Sequence, residues 1–183
     1  LHTQTESVFS FRQPVAADGP AITALIAACP PLDGNSAYCN LLQCTHFAGH
    51  CVVAESRGAI VGWVSGYRPP SDPDRLFVWQ VAVATQARGR GLAQRMIAAL
   101  LDRAASHGVR HIITTITPGN RASWALFEGL ARRLNAGLER TVLFDRNVHF
   151  GGAHATEWQV CIGPLSAVPN DLQIGKAGDE NHD

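Results

Sequence analysis

The chain has 183 residues, of which 46% are hydrophobic and 16% charged, with 15 Lys plus Arg against 15 Asp plus Glu. That length supports a hydrophobic core without covalent staples, and the composition excludes wholesale disorder. Zero formal charge argues against a protein that coats a nucleic acid duplex or rides on an anionic membrane through a polybasic patch.

Residues 1–14 carry neither the basic nor the apolar segment of a secretory leader, and no apolar run is long enough to span a bilayer. A cytoplasmic protein is expected. Val8 to Gln13 reads as a first strand. Asp18-Gly19-Pro20 opens a helix, with Asp18 as N-cap and Pro20 in the first turn. Pro30-Pro31 ends that helix by Cys29. Leu32 to Asn35 is a turn, and Ser36 to Cys44 is a second short helix. Cys51 to Ala54 and Ala59 to Ser65 are β-rich runs on either side of the hairpin signature Ser56-Arg57-Gly58. Three prolines make Arg68 to Asp74 a loop. Leu76 to Val83 follows as an aromatic and β-branched strand.

Gln86 to Gly91 turns tightly into a helix whose Leu92, Met96, Leu100 and Ala104 recur at spacing four, until Gly108 stops it. Val109 to Ile116 reads as a buried strand and Asn120 to Leu134 as a helix. Thr141 to Phe144 and Thr156 to Ile162 are closing strands. Beyond Ala167 the chain is polar with Pro and Gly, which predicts a flexible tail. One α/β domain with a mixed sheet is expected over residues 1–166, followed by a tail over 167–183.

The segment Val81 to Ala93 is the most informative. A strand runs into a Gly-rich turn and the turn into a helix, so free backbone N–H groups converge and the helix dipole favours an anion. Gly89 and Gly91 permit close approach of a phosphate, and Arg88 and Arg90 add positive charge. A P-loop would need Gly-Lys-Ser/Thr, which is absent. A dinucleotide fingerprint would need Gly or Ala at Gln94 and an acidic residue ending the next strand, which instead ends Thr115-Ile116-Thr117. The pattern Gln/Arg-x-x-Gly-x-Gly/Ala is met by Gln86, Gly89 and Gly91.

On these residues the chain resembles the GNAT superfamily of acetyl-CoA-dependent N-acetyltransferases over roughly residues 8 to 163. The resemblance implies a mixed, mostly antiparallel sheet with splayed central strands, flanked by helices. It implies acetyl-CoA as cosubstrate without a metal. It assigns the pyrophosphate to the amides of Arg88, Gly89, Arg90, Gly91, Leu92 and Ala93, and pantetheine to the backbone of Val81, Ala82 and Val83. The later family motif, an Asn followed by a helix along the cofactor, matches Asn120, Ser123 and Phe127. Many members carry a Tyr near the position of Phe127 as acid for the departing thiolate. Phe127 has no proton to give. Members are often dimers, so a homodimer is implied.

A narrower resemblance, to the diaminobutyrate N4-acetyltransferases of ectoine synthesis, rests on several segments. They are Pro31 to Tyr38, His46-Phe47, Cys51 to Glu55, Val61 to Tyr67 and Leu76 to Val83. It implies a small cationic amino acid as acceptor. A diamino acid needs an anion or an aromatic face for its ammonium groups. Asp33 supplies a carboxylate, or serves only its turn. Trp79, expected on the same strand face as Val81 and Val83, supplies a ring, or only core packing. Tyr38 offers a hydroxyl as ligand or proton donor, or is a solvated helix residue. His154 and Glu157 are candidate bases or ammonium partners, or solvated edge residues. Val81 carries the N–H expected to hold the oxyanion.

Three other constellations fall away. Cys44, His46, His50 and Cys51 lack the paired spacing of a zinc site. Gly108 separates His107 from His111. The five cysteines, Cys161 among them, form an irregular set without an evident His partner for a nucleophile. Acetylation of another small amine, and a non-catalytic coenzyme A module, stand as alternatives.

Overall fold

The computed structural model describes residues 9–105 and 108–166. Val8, His107 and the tail expected over 167–183 lie outside the described residues. Strands β1 (Ser10–Arg12), β2 (Val52–Ser56), β3 (Ala59–Tyr67), β4 (Arg75–Val83), β5 (His111–Ile116), β6 (Gly137–Phe144) and β7 (Glu157–Gly163) form one sheet. Its order is β1-β2-β3-β4-β5-β7-β6. Among the described residues, only β4 and β5 pair in parallel. Helices α3 (Leu92–Ala105) and α4 (Arg121–Arg133) cover one face, and α1 (Gly19–Ala27) and α2 (Ala37–Thr45) the other. This is the mixed, mostly antiparallel sheet flanked by helices that the resemblance implies.

Each face has its own apolar layer. Met96, Ile97, Leu100 and Leu101 of α3 pack with Val64, Leu76, Ile112 and Val160 of the sheet. Ile22, Leu25 and Ile26 of α1 pack with Val53, Trp63 and Ala82. Burying side chains of this size contributes roughly 1.5–3 kcal/mol each before ordering entropy is subtracted, so the layers fix the sheet between two rigid slabs. The β2–β3 turn uses left-handed backbone at Arg57 (φ 52°) and Gly58 (φ 77°), the geometry that matches hairpin twist.

Two local expectations change. Asp18 does not cap α1 with its side chain. Its carboxylate instead accepts from both guanidinium nitrogens of Arg12, at 2.7 and 2.9 Å, and from the Val15 N–H at 2.8 Å. A bidentate, half-buried charge pair outcompetes a cap. Arg12 also reaches Glu55 at 2.6 Å, so one guanidinium clasps the edge strand and the entry to α1 together. The second change is at β6, which begins at Gly137 rather than Thr141. Glu139 and Arg140 hide its start in the sequence, because on an exposed edge strand charged side chains replace the alternating pattern.

The Arg12 clasp holds the Asp18 carboxyl below its usual range, chiefly through its hydrogen bond and against burial. That stabilisation is complete above the ordinary carboxylate range and is lost as pH falls through the depressed pKa. Asp18→Asn is expected to lower the unfolding free energy by about 1–3 kcal/mol at pH 7. Urea melts from pH 3 to 8 should show the deficit shrinking in acid.

Candidate active site

The site begins where a strand pair comes apart. β4 and β5 align at Arg75/His111, Leu76/Ile112 and Phe77/Ile113 and no further. The Thr114 hydroxyl then donates to the Val78 carbonyl at 2.9 Å, a side chain closing the apex in place of a ladder bond. Beyond it the strands diverge around a cavity of about 450 Å³.

Backbone direction follows from one bond. The Ala84 N–H donates to Val61 of β3 at 2.9 Å, and opposed residues of an antiparallel pair alternate between bonded and unbonded. Ala82, opposite Trp63, therefore spends its peptide groups on β3. The peptide groups of Val81 and Val83 face the gap. Of these, the Val83 carbonyl already accepts from Arg88 Nε at 3.0 Å and from the Cys29 thiol at 3.4 Å.

A bulge in β4 sets the side chains. Ser65 and Gly66 oppose Gln80 and Val78, which leaves Trp79 as the additional residue. A bulge resets the alternation of faces. Trp79 meets Tyr67 edge-on at 6.1 Å on the face of α1 and α2, whereas Val81 and Val83 pack toward α3. The expected shared face of these three residues is thus overturned by one inserted residue.

The gap joins two unlike mouths. On the α1/α2 side the cavity is lined by Asp33, Asn35, Trp79, His154 and Glu157; on the α4 side by Asn120, Ser123 and Phe127. Asp33 is exposed on its loop, and Trp79 is 47% exposed. Glu157 opens β7 and is half-buried, with His154 Nε2 at 3.9 Å from its Oε1. Burial pushes the Glu157 carboxyl above its usual range. The nearby His154 and a hydrogen bond with Thr115 pull it down, while the Asp33 carboxylate adds to the rise. Tyr38 lies in the first turn of α2, 71% exposed, and is not brought into the cavity lining.

On the other side Asn120 caps α4, its Oδ1 accepting from the Ser123 N–H at 3.1 Å. Phe127 is buried at 3% exposure and faces the cavity from the α3/α4 layer. The turn before α3 has Gly89 at φ 72° and Gly91 at φ 67°, and a Cβ at either would meet no atom within 4 Å. Conformation, not crowding, demands these glycines. The N–H groups of Leu92 and Ala93 begin α3 and have no intrahelical partner. The Arg88 guanidinium turns back to Val83 and lies 3.5 Å from Cys29 Sγ, and that of Arg90 lies over the Phe9 ring at 5.5 Å. Both guanidinium groups thus have contacts within the protein beside the glycine turn.

Among the cavity residues that the sequence did not single out are the polar side chains of Asn35, Gln80, Thr114 and Thr115. Gln80 had a signal, a polar side chain inside the run Leu76 to Val83 that is 7% exposed. The threonines had none, because Thr is an ordinary strand residue.

Residues 20–131 match the sequence model of the Acetyltransferase (GNAT) family. The chain belongs to that family. This GNAT chain is 52% identical over 161 residues to the L-2,4-diaminobutyric acid acetyltransferase of Methylotuvimicrobium alcaliphilum, covering 88% of this chain and 94% of that protein. It is 51% identical over 149 residues to the protein of the same name from Vibrio parahaemolyticus, covering 81% and 82%. Its fold is similar to that of a diaminobutyrate acetyltransferase from Paenibacillus lautus, solved in complex with L-2,4-diaminobutyric acid and coenzyme A. The TM-score there is 0.81 at 40% identity, over 88% of this chain and 98% of that one. Among the described residues no helix is long and apolar enough to cross a membrane, and no three His, Cys, Asp or Glu side chains gather as a metal site.

The GNAT turn generates a direct test. Gly91→Val places a β-branched residue at positive φ and its methyl groups in the open space before α3. Calorimetry should show acetyl-CoA binding weakened more than tenfold (about 1.4 kcal/mol) in a variant that circular dichroism shows to be folded.

Proposed function

We propose that this GNAT enzyme transfers the acetyl group of acetyl-CoA to the 4-amino group of L-2,4-diaminobutyrate, by direct attack in a ternary complex. The observation that carries the reading is the cavity itself. A mouth holding two carboxylates, Asp33 and Glu157, meets through the β4–β5 gap a mouth built from α4. A dication with one carboxylate suits the first mouth, and an extended diphosphate thioester suits the second with the glycine turn. The relatives of 52% and 51% identity carry the name of this reaction. The product is the acetylated intermediate of ectoine synthesis, a cytoplasmic pathway. We assign residues 1–166 to one catalytic domain. We assign a homodimer whose contact includes the edge strand β6, where Val142, Leu143 and Phe144 are exposed.

The acceptor amine, with a pKa of about 10 in water, must lose a proton before attack. Glu157 is assigned as the base, since it lines the acceptor mouth and burial raises its pKa, which strengthens it as a proton acceptor. His154 orients it and leads to solvent. Asp33 and the Trp79 ring hold the second ammonium group. The Val81 N–H, facing the gap, donates to the oxyanion. Val83, Asn120, Ser123 and Phe127, with the amides of Arg88 to Ala93, form the cofactor side. The nitrogen of the adduct carries one proton more than the amide keeps, and that proton passes to the departing sulfur. Neither Phe127 nor Tyr38 is then required as acid.

Thiol release from acetyl-CoA is expected only when diaminobutyrate is present, with NMR placing the acetyl group on N4. Binding of acetyl-CoA without release would make the chain a non-catalytic module, and release with another amine alone would reassign the acceptor. Tyr38→Phe should keep kcat within about threefold; a fall of roughly 10²–10⁴ would make its hydroxyl the donor.

Glu157→Gln should lower kcat by roughly 10²–10⁴-fold. A raised folded-state pKa means that the group's stabilisation is complete below the ordinary carboxylate range and is lost as pH rises through the shifted value. The inactive variant should therefore melt above wild type at pH 8 and alongside it in acid, read by Tm across pH.

A further inference from the structure

Gln80 stands where three constraints meet. Its N–H donates to the Ser65 hydroxyl at 3.2 Å across the β4 bulge. Its side-chain amide donates through Nε2 to the Asp33 carbonyl at 2.7 Å, and its Oε1 accepts from Asn35 Nδ2 at 2.9 Å. Both ends of one amide are thus spent on the loop between α1 and α2, and the side chain is buried at 7% exposure. The loop is otherwise polar and exposed at Asp33 and Gly34. Its apolar anchor, Leu32, packs against the α1 layer on the N-terminal side of Asp33. The two hydrogen bonds of the Gln80 carboxamide fix the loop after that anchor, where the Asp33 carboxylate must find its place.

We propose that Gln80 is the positioning residue of the acceptor mouth: by docking the 33–35 backbone on the bulge it sets the spacing between the Asp33 and Glu157 carboxylates, and with it the length of diamine that is accepted. The proposal rests on the reading of the α1/α2 mouth as the acceptor site. The bulge matters here because it puts Trp79 and Gln80 on the same side of the sheet in succession. The residue that turns a ring toward the mouth is followed directly by the residue that holds the loop over it. A carboxylate on a free loop would meet ammonium groups at many separations. On a docked loop it meets one, so the gain is selectivity as well as affinity.

The test is Gln80→Met, which keeps length and burial but removes donor and acceptor, beside Asn35→Ala, which removes one bond without touching the sheet. Both are assayed with acetyl-CoA and either diaminobutyrate or its longer homologue ornithine. Two neutral hydrogen bonds correspond to about tenfold or more. Gln80→Met is expected to raise KM for diaminobutyrate by that factor, with KM for acetyl-CoA within twofold. It should also narrow the preference over ornithine. Asn35→Ala should move the same parameters less far. Asp33→Asn should have a smaller effect in the Gln80→Met background than in wild type, since both changes act through one carboxylate. Additive effects, an equal loss for both amines, or an unchanged diaminobutyrate KM in both variants would overturn the proposal. Wild-type enzyme inert toward diaminobutyrate would instead overturn the function reading, and is seen before any variant is made.

Discussion

Two parallel strands that stop pairing after three residues impose the condition to which the rest of the molecule responds. Each backbone group exposed by such a parting needs another partner, because an unsatisfied buried N–H or carbonyl costs about as much as a lost hydrogen bond. The chain answers differently along the gap. At the apex a side chain completes the ladder, Thr114 donating to Val78. At the far end Arg88 and Cys29 satisfy Val83. Between them Val81 keeps its peptide groups turned to the cavity, where a ligand can use them as an added strand would. The parting supplies a polar edge within the sheet, bounded by apolar layers that keep its geometry.

Separation of the two faces follows from the same opening. Charge and exposure collect on the α1/α2 side, where Asp33, His154 and Glu157 meet, while the α4 side presents a buried ring and a capped helix start. The inserted residue in β4 makes the division possible, since strict alternation would have aimed Trp79 toward α3. Bulges beside active sites commonly re-aim a side chain in this way. Here the re-aimed pair is Trp79 and Gln80, and the following valines return to the α3 layer.

The sequence made much of this legible, for physical reasons that differ by element. Apolar spacing in α3 and the glycine turn before it identify themselves locally, and the glycines adopt the positive φ their residue type suggests. Periodicity alone does not give strand order, and the resemblance implied only the kind of sheet; the order comes from the pairing in the fold. Candidate residues such as Asp33, Glu157 and His154 are brought together by the fold, although Asp33 lies more than a hundred residues before the other two in the chain. What stayed hidden depends on pairing. Gln80 cannot be recognised without knowing that Asp33 lies above it, and the face of Trp79 cannot be known without the register of β3 against β4. The partners of Arg88 and Arg90 were hidden likewise, because a guanidinium next to a phosphate-binding pattern invites a local assignment while Phe9 and Val83 are reached only in three dimensions.

The orientation of those two arginines bears on how salt would act on anion binding. Attraction between exposed charges fades within a Debye length that is about 8 Å at physiological salt and about 3 Å at 1 M. Hydrogen bonds from peptide N–H groups act at contact distance and are far less attenuated. With Arg88 and Arg90 in contact with Val83 and Phe9, a diphosphate held by the amides before α3 would keep more of its affinity as ionic strength climbs than one clasped by side-chain cations.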